Sequence, residues 1–115
     1  MSEPSDAELA ARYRSVIEAE LAQLDTATDA TSDDRRPVEL DQQSVGRLSR
    51  MDAMQGRAMA TAIEARRGQR RVALKAALRR MEDAEFGWCA NCGSFIGTGR
   101  LDVDPVVMTC ITCAQ

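Results

Sequence analysis

Apolar residues recur at helical spacing through the first two thirds of the chain. Leu9, Tyr13, Val16, Ile17, Leu21 and Leu24 follow at steps of three and four, with Glu20 as a polar interruption on the same face. This period predicts an amphipathic helix over residues 5–27. Ser5 offers an N-cap, and Glu8 three residues on completes a capping-box pattern. The polar run from Asp25 to Asp34 is rich in turn formers and ends the helix. Arg35-Arg36-Pro37 closes the loop, because Pro37 biases Arg36 away from helical backbone.

Residues 39–85 contain no proline and consist mostly of good helix formers. Val45, Leu48, Met51, Met59, Ile63, Leu74, Leu78 and Met81 form a broken apolar stripe. The prediction is one long helix, roughly 70 Å if unbroken, with Gly68 as the place for a kink. Two helices joined by a short loop favour an antiparallel hairpin. The shorter first helix is expected to lie over residues 42–65 of the second, with Met51, Met54 and Met59 in the hairpin core. The distal half of the second helix then leans on whatever follows. Residues 86–115 change character: glycines, short apolar pairs and four cysteines replace the helical pattern. Phe95-Ile96 and Val106 to Thr109 read as two short strands. The chain therefore divides into a hairpin, 1–85, and a small module, 86–115.

Charge is unevenly distributed. The net value of −3 hides three blocks. Residues 1–41 carry eleven acidic and four basic side chains, a balance of −7; residues 42–81 carry ten basic and two acidic, +8; residues 82–115 carry five acidic and one basic, −4. Asp33, Asp34, Glu39 and Asp41 gather in the inter-helix loop and at the start of the second helix. In solvated turns such carboxylates serve as caps and favour a helix N-terminus by about 0.3–1 kcal/mol. Arg67, Arg71, Lys75 and Arg79 recur every four residues as one basic stripe. No aromatic residue interleaves them, and the overall balance is acidic, so the stripe reads as a solvated or protein-facing surface before a nucleic-acid site. No run of about 18 apolar residues is present, and the acidic N-terminus has no apolar core of a leader peptide. A cytoplasmic protein without a membrane partner is expected.

The cysteines fall as Cys89-Ala90-Asn91-Cys92 and Cys110-Ile111-Thr112-Cys113, a C-x2-C-x17-C-x2-C pattern. Each pair lets one tight turn aim two sulfurs at one ion, and two turns supply a closed tetrahedron of soft ligands. The reading is one structural Zn²⁺ held by Cys89, Cys92, Cys110 and Cys113. The spacing alone leaves a rubredoxin-like iron open. A closed site offers no position for substrate. With no histidine and no nucleophile or phosphate-binding glycine motif, catalysis is not expected. About thirty residues bury too little to fold unaided, so the metal must supply the difference.

The run Phe86-Gly87-Trp88-Cys89-Ala90-Asn91-Cys92-Gly93, followed by Ile96-Gly97, Arg100-Leu101, Pro105 and Cys110-Ile111-Thr112-Cys113, resembles the C4 zinc finger of the DksA/TraR family. Val38 to Leu48 also resembles a segment of its short members. The resemblance implies a mainly α protein, an antiparallel helical hairpin followed by a small four-cysteine zinc finger with short strands. It implies a bacterial transcription regulator that binds RNA polymerase rather than DNA, acting as a monomer. In that family the hairpin enters the polymerase secondary channel with an acidic tip, and several members act with guanosine tetraphosphate. Here the D-x-x-D-x-A tip motif is missing; Asp33, Asp34, Glu39 and Asp41 stand nearest its place, and Asp52-Ala53 keeps only a fragment. Two other readings compete: a zinc-ribbon nucleic-acid binder using the arginines, and an adaptor whose hairpin docks another protein.

Overall fold

A computed structural model describes residues 3–37 and 47–114. Among them lie helix α1 (Asp6–Ala30), a single 3-10 turn (Ser32–Arg35), helix α2 (Arg47–Glu82) and a short helix α3 (Thr98–Val103). The chain is mainly helical and built on a long helical hairpin. It divides into two units, residues 22–70 and the remainder.

Helix α1 starts as its sequence dictates. The Ser5 hydroxyl accepts the Glu8 backbone N–H at 3.2 Å and donates to the Glu8 carboxylate at 3.3 Å. Its end lies three residues beyond the expected Ala27, at Ala30. The reason is a set of side-chain caps on its last carbonyls. Thr31 donates its hydroxyl to Ala27 O at 2.8 Å, and the Arg35 guanidinium donates to Thr28 O at 2.9 Å. The residues that looked like loop formers are the ones that extend the helix.

Helix α2 runs through Gly68 without a break and stops at Glu82, short of the expected residue 85. Ala84 adopts a left-handed backbone (φ 58°), and the Glu85 and Phe86 N–H groups both fold back to Arg80 O, at 2.8 and 3.2 Å. This left-handed cap normally calls for glycine. The expected helix start at 39, with Val45, lies outside the described residues.

In the unit formed by residues 22–70, the pairing of α1 with α2 is polar. Thr28 donates to the Glu64 carboxylate at 2.9 Å. Arg67 reaches Glu64 at 3.3 Å and Thr31 at 3.1 Å. Arg35 lies 3.5 Å from Glu64, and its carbonyl accepts from Arg57 at 3.2 Å. From Thr28 to Arg35 the partner moves back from Glu64 to Arg57, which is antiparallel pairing. The expected cover over residues 42–65 is therefore corrected: α1 meets α2 from Glu64 onward. Met51, Met54 and Met59 are not core but 48%, 55% and 69% exposed. Met54 and Met59 are five residues apart, about 140° round a helix, so they cannot share one buried face.

In the other unit, Leu9, Tyr13 and Ile17 of α1 are buried together with Leu74 and Ala77 of α2 and with Phe86, Cys89, Ile96 and Leu101. Tyr13 packs on Phe86 (centroids 5.6 Å apart) and Trp88 on Phe95 (5.4 Å). Gly87 has φ 88°, a backbone that strains any side chain, and a Cβ there would also crowd Leu9 Cδ1 at 3.0 Å, so glycine suits the close pass of the chain by the helix. Polar contacts pin the same seam. The Tyr13 hydroxyl donates to Asp102 at 2.7 Å, Arg12 grips the Asp102 carboxylate at 2.8 and 3.0 Å, and the Trp88 indole donates to Asp6 at 3.0 Å.

The two expected strands do not form. Among the described residues, strand pairing is a single antiparallel bridge between Trp88 and Phe95. At Val106 the chain turns because the Asp104 carboxylate accepts its N–H at 3.2 Å, following a Pro105 that has no donor. Helix α3 stands between the pairs of cysteines instead and buries Leu101 completely.

Two expected outcomes follow. Replacing Ala84 by glycine relieves the left-handed strain and raises unfolding stability by about 0.5–1 kcal/mol, measured by denaturant titration. The second concerns Tyr13, the single tyrosine. Burial first, then the Asp102 hydrogen bond and charge, push its hydroxyl up to about 12. An unfolded tyrosine titrates near about 10. The folded state holds this proton more tightly, so its stabilisation is whole below about pH 10 and is lost as pH rises through about 12. Tyrosinate absorbance should rise near the upper value in folded protein, and Asp102→Asn should move it down; a midpoint at the unfolded value with the fold intact would contradict the assignment.

Candidate metal centre

Two tight turns build the site. In the first, the Cys89 N–H donates to Ser94 O at 2.8 Å and the Gly93 N–H to Cys89 O at 2.9 Å, with Gly93 at φ 77°. In the second, the Ala114 N–H donates to Cys110 O at 3.0 Å. One bond joins the turns, Ala90 N–H to Met108 O at 2.8 Å, and the Arg100 guanidinium of α3 anchors the second through Thr109 O at 3.0 Å. Arg80 of α2 adds a contact to Val106 O at 3.3 Å, and its partial burial lowers its pKa.

The result is convergence. The sulfurs of Cys89, Cys92, Cys110 and Cys113 all lie within 4.8 Å of one another, and none is in a disulfide. Cys92 and Cys110 approach to 3.7 Å. A regular tetrahedron of sulfurs about 2.3 Å from a central ion has edges of about 3.8 Å, so the donor set fits a four-coordinate metal. Cys89 is buried, Cys92 is exposed, and the second pair is intermediate.

The electrostatics point the same way. The Cys89 thiol is lowered to about 6, chiefly by the Cys92 backbone N–H, then by that of Cys110. Cys92 is lowered by the Ser94 hydroxyl and then by the Ser94 backbone N–H. Cys113 is pushed up to about 12 by the sulfurs of Cys110, Cys89 and Cys92. Hydrogen-bond donors, backbone N–H groups at Cys89 and Ser94 at Cys92, favour two thiolates, while the crowding of sulfurs makes the last proton hard to remove. Four thiolates at this spacing need a cation to balance them.

Among the described residues, the others singled out in the sequence do not join this cluster. Asp33 and Asp34 lie exposed in the 3-10 turn, with Asp33 at 3.0 Å from Arg36 in a pair open to water on both sides. Glu39 and Asp41 lie outside the described residues. The basic stripe is not uniform: Arg67 belongs to the Glu64 network, while Lys75 and Arg79 are exposed. Sequence reasoning missed Ser94, whose carbonyl closes the first turn on the Cys89 N–H. It also missed the Tyr13–Asp102 contact, which spans 89 residues.

Fold and site together define a class, a helical hairpin protein carrying a four-cysteine finger. Comparison with known proteins gives the particular likeness. The fold matches transcription factor DksA2 of Pseudomonas aeruginosa with a TM-score of 0.71, covering 95% of this chain and 79% of that one at 18% identity. In sequence, 36 residues are 44% identical to the RNA polymerase-binding transcription factor DksA of Escherichia coli, and equally to that of Salmonella typhimurium. That match takes in 31% of this chain and 24% of the relatives' length. No family model matches the chain. The DksA/TraR resemblance drawn from the sequence thus holds in part of the sequence and through the fold. No helix among the described residues is long and apolar enough to cross a membrane.

Replacing Cys89 or Cys113 by serine should abolish stoichiometric metal in elemental analysis. The finger should lose its near-ultraviolet signal from Trp88 while most helical circular dichroism survives. Retention of one metal per chain in either variant would refute the four-ligand assignment.

Proposed function

We propose that this chain is a DksA-like transcription regulator that binds RNA polymerase through the secondary channel, its finger held by one structural Zn²⁺. The observation that carries the reading is the convergence of four thiolates within a DksA fold. Zinc is the natural occupant of a closed four-thiolate tetrahedron, and binding on the order of 10 kcal/mol or more would complete a module too small to fold alone. Cys89, Cys92, Cys110 and Cys113 would hold the ion, which supplies shape and no chemistry. The protein acts as a cytoplasmic monomer and not as an enzyme.

Without a D-x-x-D-x-A motif, the acidic residues Asp33, Asp34, Glu39 and Asp41 take the role of contacting the polymerase near its active site. Engagement of the enzyme is retained, and what differs from the better-known members is the effect on initiation. Guanosine tetraphosphate is a candidate co-regulator at the same complex.

The test uses purified bacterial RNA polymerase and the metal-loaded protein. Polymerase subunits should be retained on the immobilised protein at moderate salt, and open-complex lifetime should change on its addition. Neutralising the four acidic residues (Asp→Asn, Glu→Gln) should leave retention within about threefold but remove the kinetic effect. No retention of polymerase would overturn the reading. Retention of random DNA with a steep salt dependence, in its place, would favour a nucleic-acid binder.

A further inference from the structure

We infer that the cleft beside the first knuckle is a binding site for a small aromatic monocarboxylate, with Arg80 taking the carboxylate and Trp88 and Met108 the ring. The inference stands apart from the polymerase reading.

The cleft is built from the end of α2 and the turns that follow it. Its volume is about 370 Å³, and Arg80, Ala84, Glu85, Trp88, Ala90 and Met108 line it. Clefts that take small ligands start near this size and are mostly apolar, with a few placed polar groups. Backbone bonds hold these walls. The left-handed turn at Ala84 returns the Glu85 and Phe86 N–H groups to Arg80 O. The Trp88 N–H closes on Glu85 O at 3.3 Å, the Trp88 ring packs on Phe95, and its indole N–H is held by Asp6. The Ala90 N–H fixes the Met108 carbonyl. An indole and a thioether thus stand in one preformed wall, and both favour an aromatic ring.

Arg80 supplies the charge. Its half-buried guanidinium donates to Val106 O at 3.3 Å and, among the described residues, makes no other hydrogen bond and no salt bridge. Arg12, Arg35, Arg36 and Arg67 each have a carboxylate within reach. A guanidinium carries a fork of donors matched to a carboxylate, and most of this one is unused. Partial burial also leaves its charge less screened than that of a solvated arginine. Glu85 acts on Arg80 electrostatically without pairing with it. Its side chain is exposed, so water and salt screen that carboxylate more than the guanidinium. One half-buried cation facing one exposed carboxylate suits a ligand of single negative charge, because Glu85 would repel a polyanion more strongly.

The experiment follows the indole N–H resonance of Trp88, the single tryptophan, and the Ala90 amide in metal-loaded, nitrogen-15-labelled protein. The probes are 4-chlorobenzoate, its neutral analogue 4-chlorobenzamide, and inorganic pyrophosphate. Both resonances should shift and saturate with 4-chlorobenzoate, and the amide should bind about tenfold more weakly, the loss expected for a charge-assisted hydrogen bond. Pyrophosphate should bind more weakly than the benzoate. Arg80→Gln should bring the benzoate down to the level of the amide, and Glu85→Gln should tighten the benzoate about twofold to threefold. Glu85 is exposed and bonds through its backbone, so that variant keeps the fold and tests the charge assignment even where Arg80→Gln does not fold. No saturable shift with 4-chlorobenzoate would overturn the site. Equal binding of benzoate and benzamide to wild type, or an unchanged affinity in Glu85→Gln, would overturn the electrostatic assignment. Tighter binding of pyrophosphate would reassign the cleft to polyanions and overturn the monocarboxylate reading.

Discussion

The seam between the first three turns of α1 and the segment from Phe86 to Asp102 is the contact on which the finger depends. Leu9 and Tyr13 close over Phe86, Gly87 and Leu101, and Asp102 is tied to Arg12 and Tyr13 by charge-assisted hydrogen bonds. A segment of about 30 residues has too little interior of its own to fold. It borrows one from a helix more than 70 residues earlier in the chain. The exposed Arg12–Asp102 pair adds little by itself. The buried Tyr13 hydroxyl matters more, because a lost partner would leave a polar group without water.

That seam fixes one side of the metal centre, and charge fixes the other. The Cys89 knuckle lies directly after Phe86 and Gly87, so its position is inherited from the core. The second knuckle is brought to it by Met108, Thr109 and Arg100. Once the four sulfurs are within 4.8 Å, their mutual repulsion favours any state that neutralises them. Backbone N–H groups take part of that load, and a cation held by the four sulfurs would take the rest. Packing and electrostatics thus act in sequence: the first gathers the ligands and the second demands an ion.

The unit of residues 22–70 is organised on a different principle. Its helix pairing is a polar network of Thr28, Thr31, Arg35, Glu64 and Arg67, with side chains about one fifth exposed at the ion pairs. Hydrogen bonds to a shared carboxylate select a register where methyl groups would tolerate several. Met51, Met54 and Met59 remain at the surface. The two units therefore differ in kind, one held by apolar burial and a metal-ready knuckle, the other by directed polar contacts.

Local chemistry made much of this legible in the sequence. Ser5 and Glu8 dictate where α1 begins, because a cap needs only neighbours three residues apart. The spacing of Leu9, Tyr13 and Ile17 marks the buried face, since a helix repeats its face every three to four residues. The C-x2-C pairs declare the ligand set, because each knuckle is built within five residues. What the tertiary structure alone decided are the contacts that join distant segments. Tyr13 finds Asp102 across 89 residues, and Ala90 finds Met108; the same fold also selected shorter-range options that the pattern left open, with Thr31 and Arg35 on the last carbonyls of α1 and Asp104 at the Val106 turn. The register of the hairpin, and with it the exposure of Met51, Met54 and Met59, was settled by Glu64 finding Thr28 and Arg35. Periodicity tells which side of a helix is apolar, but not which stretch of a longer helix a shorter one will cover. That choice depends on the balance of contacts along every possible register, and only the folded chain contains it.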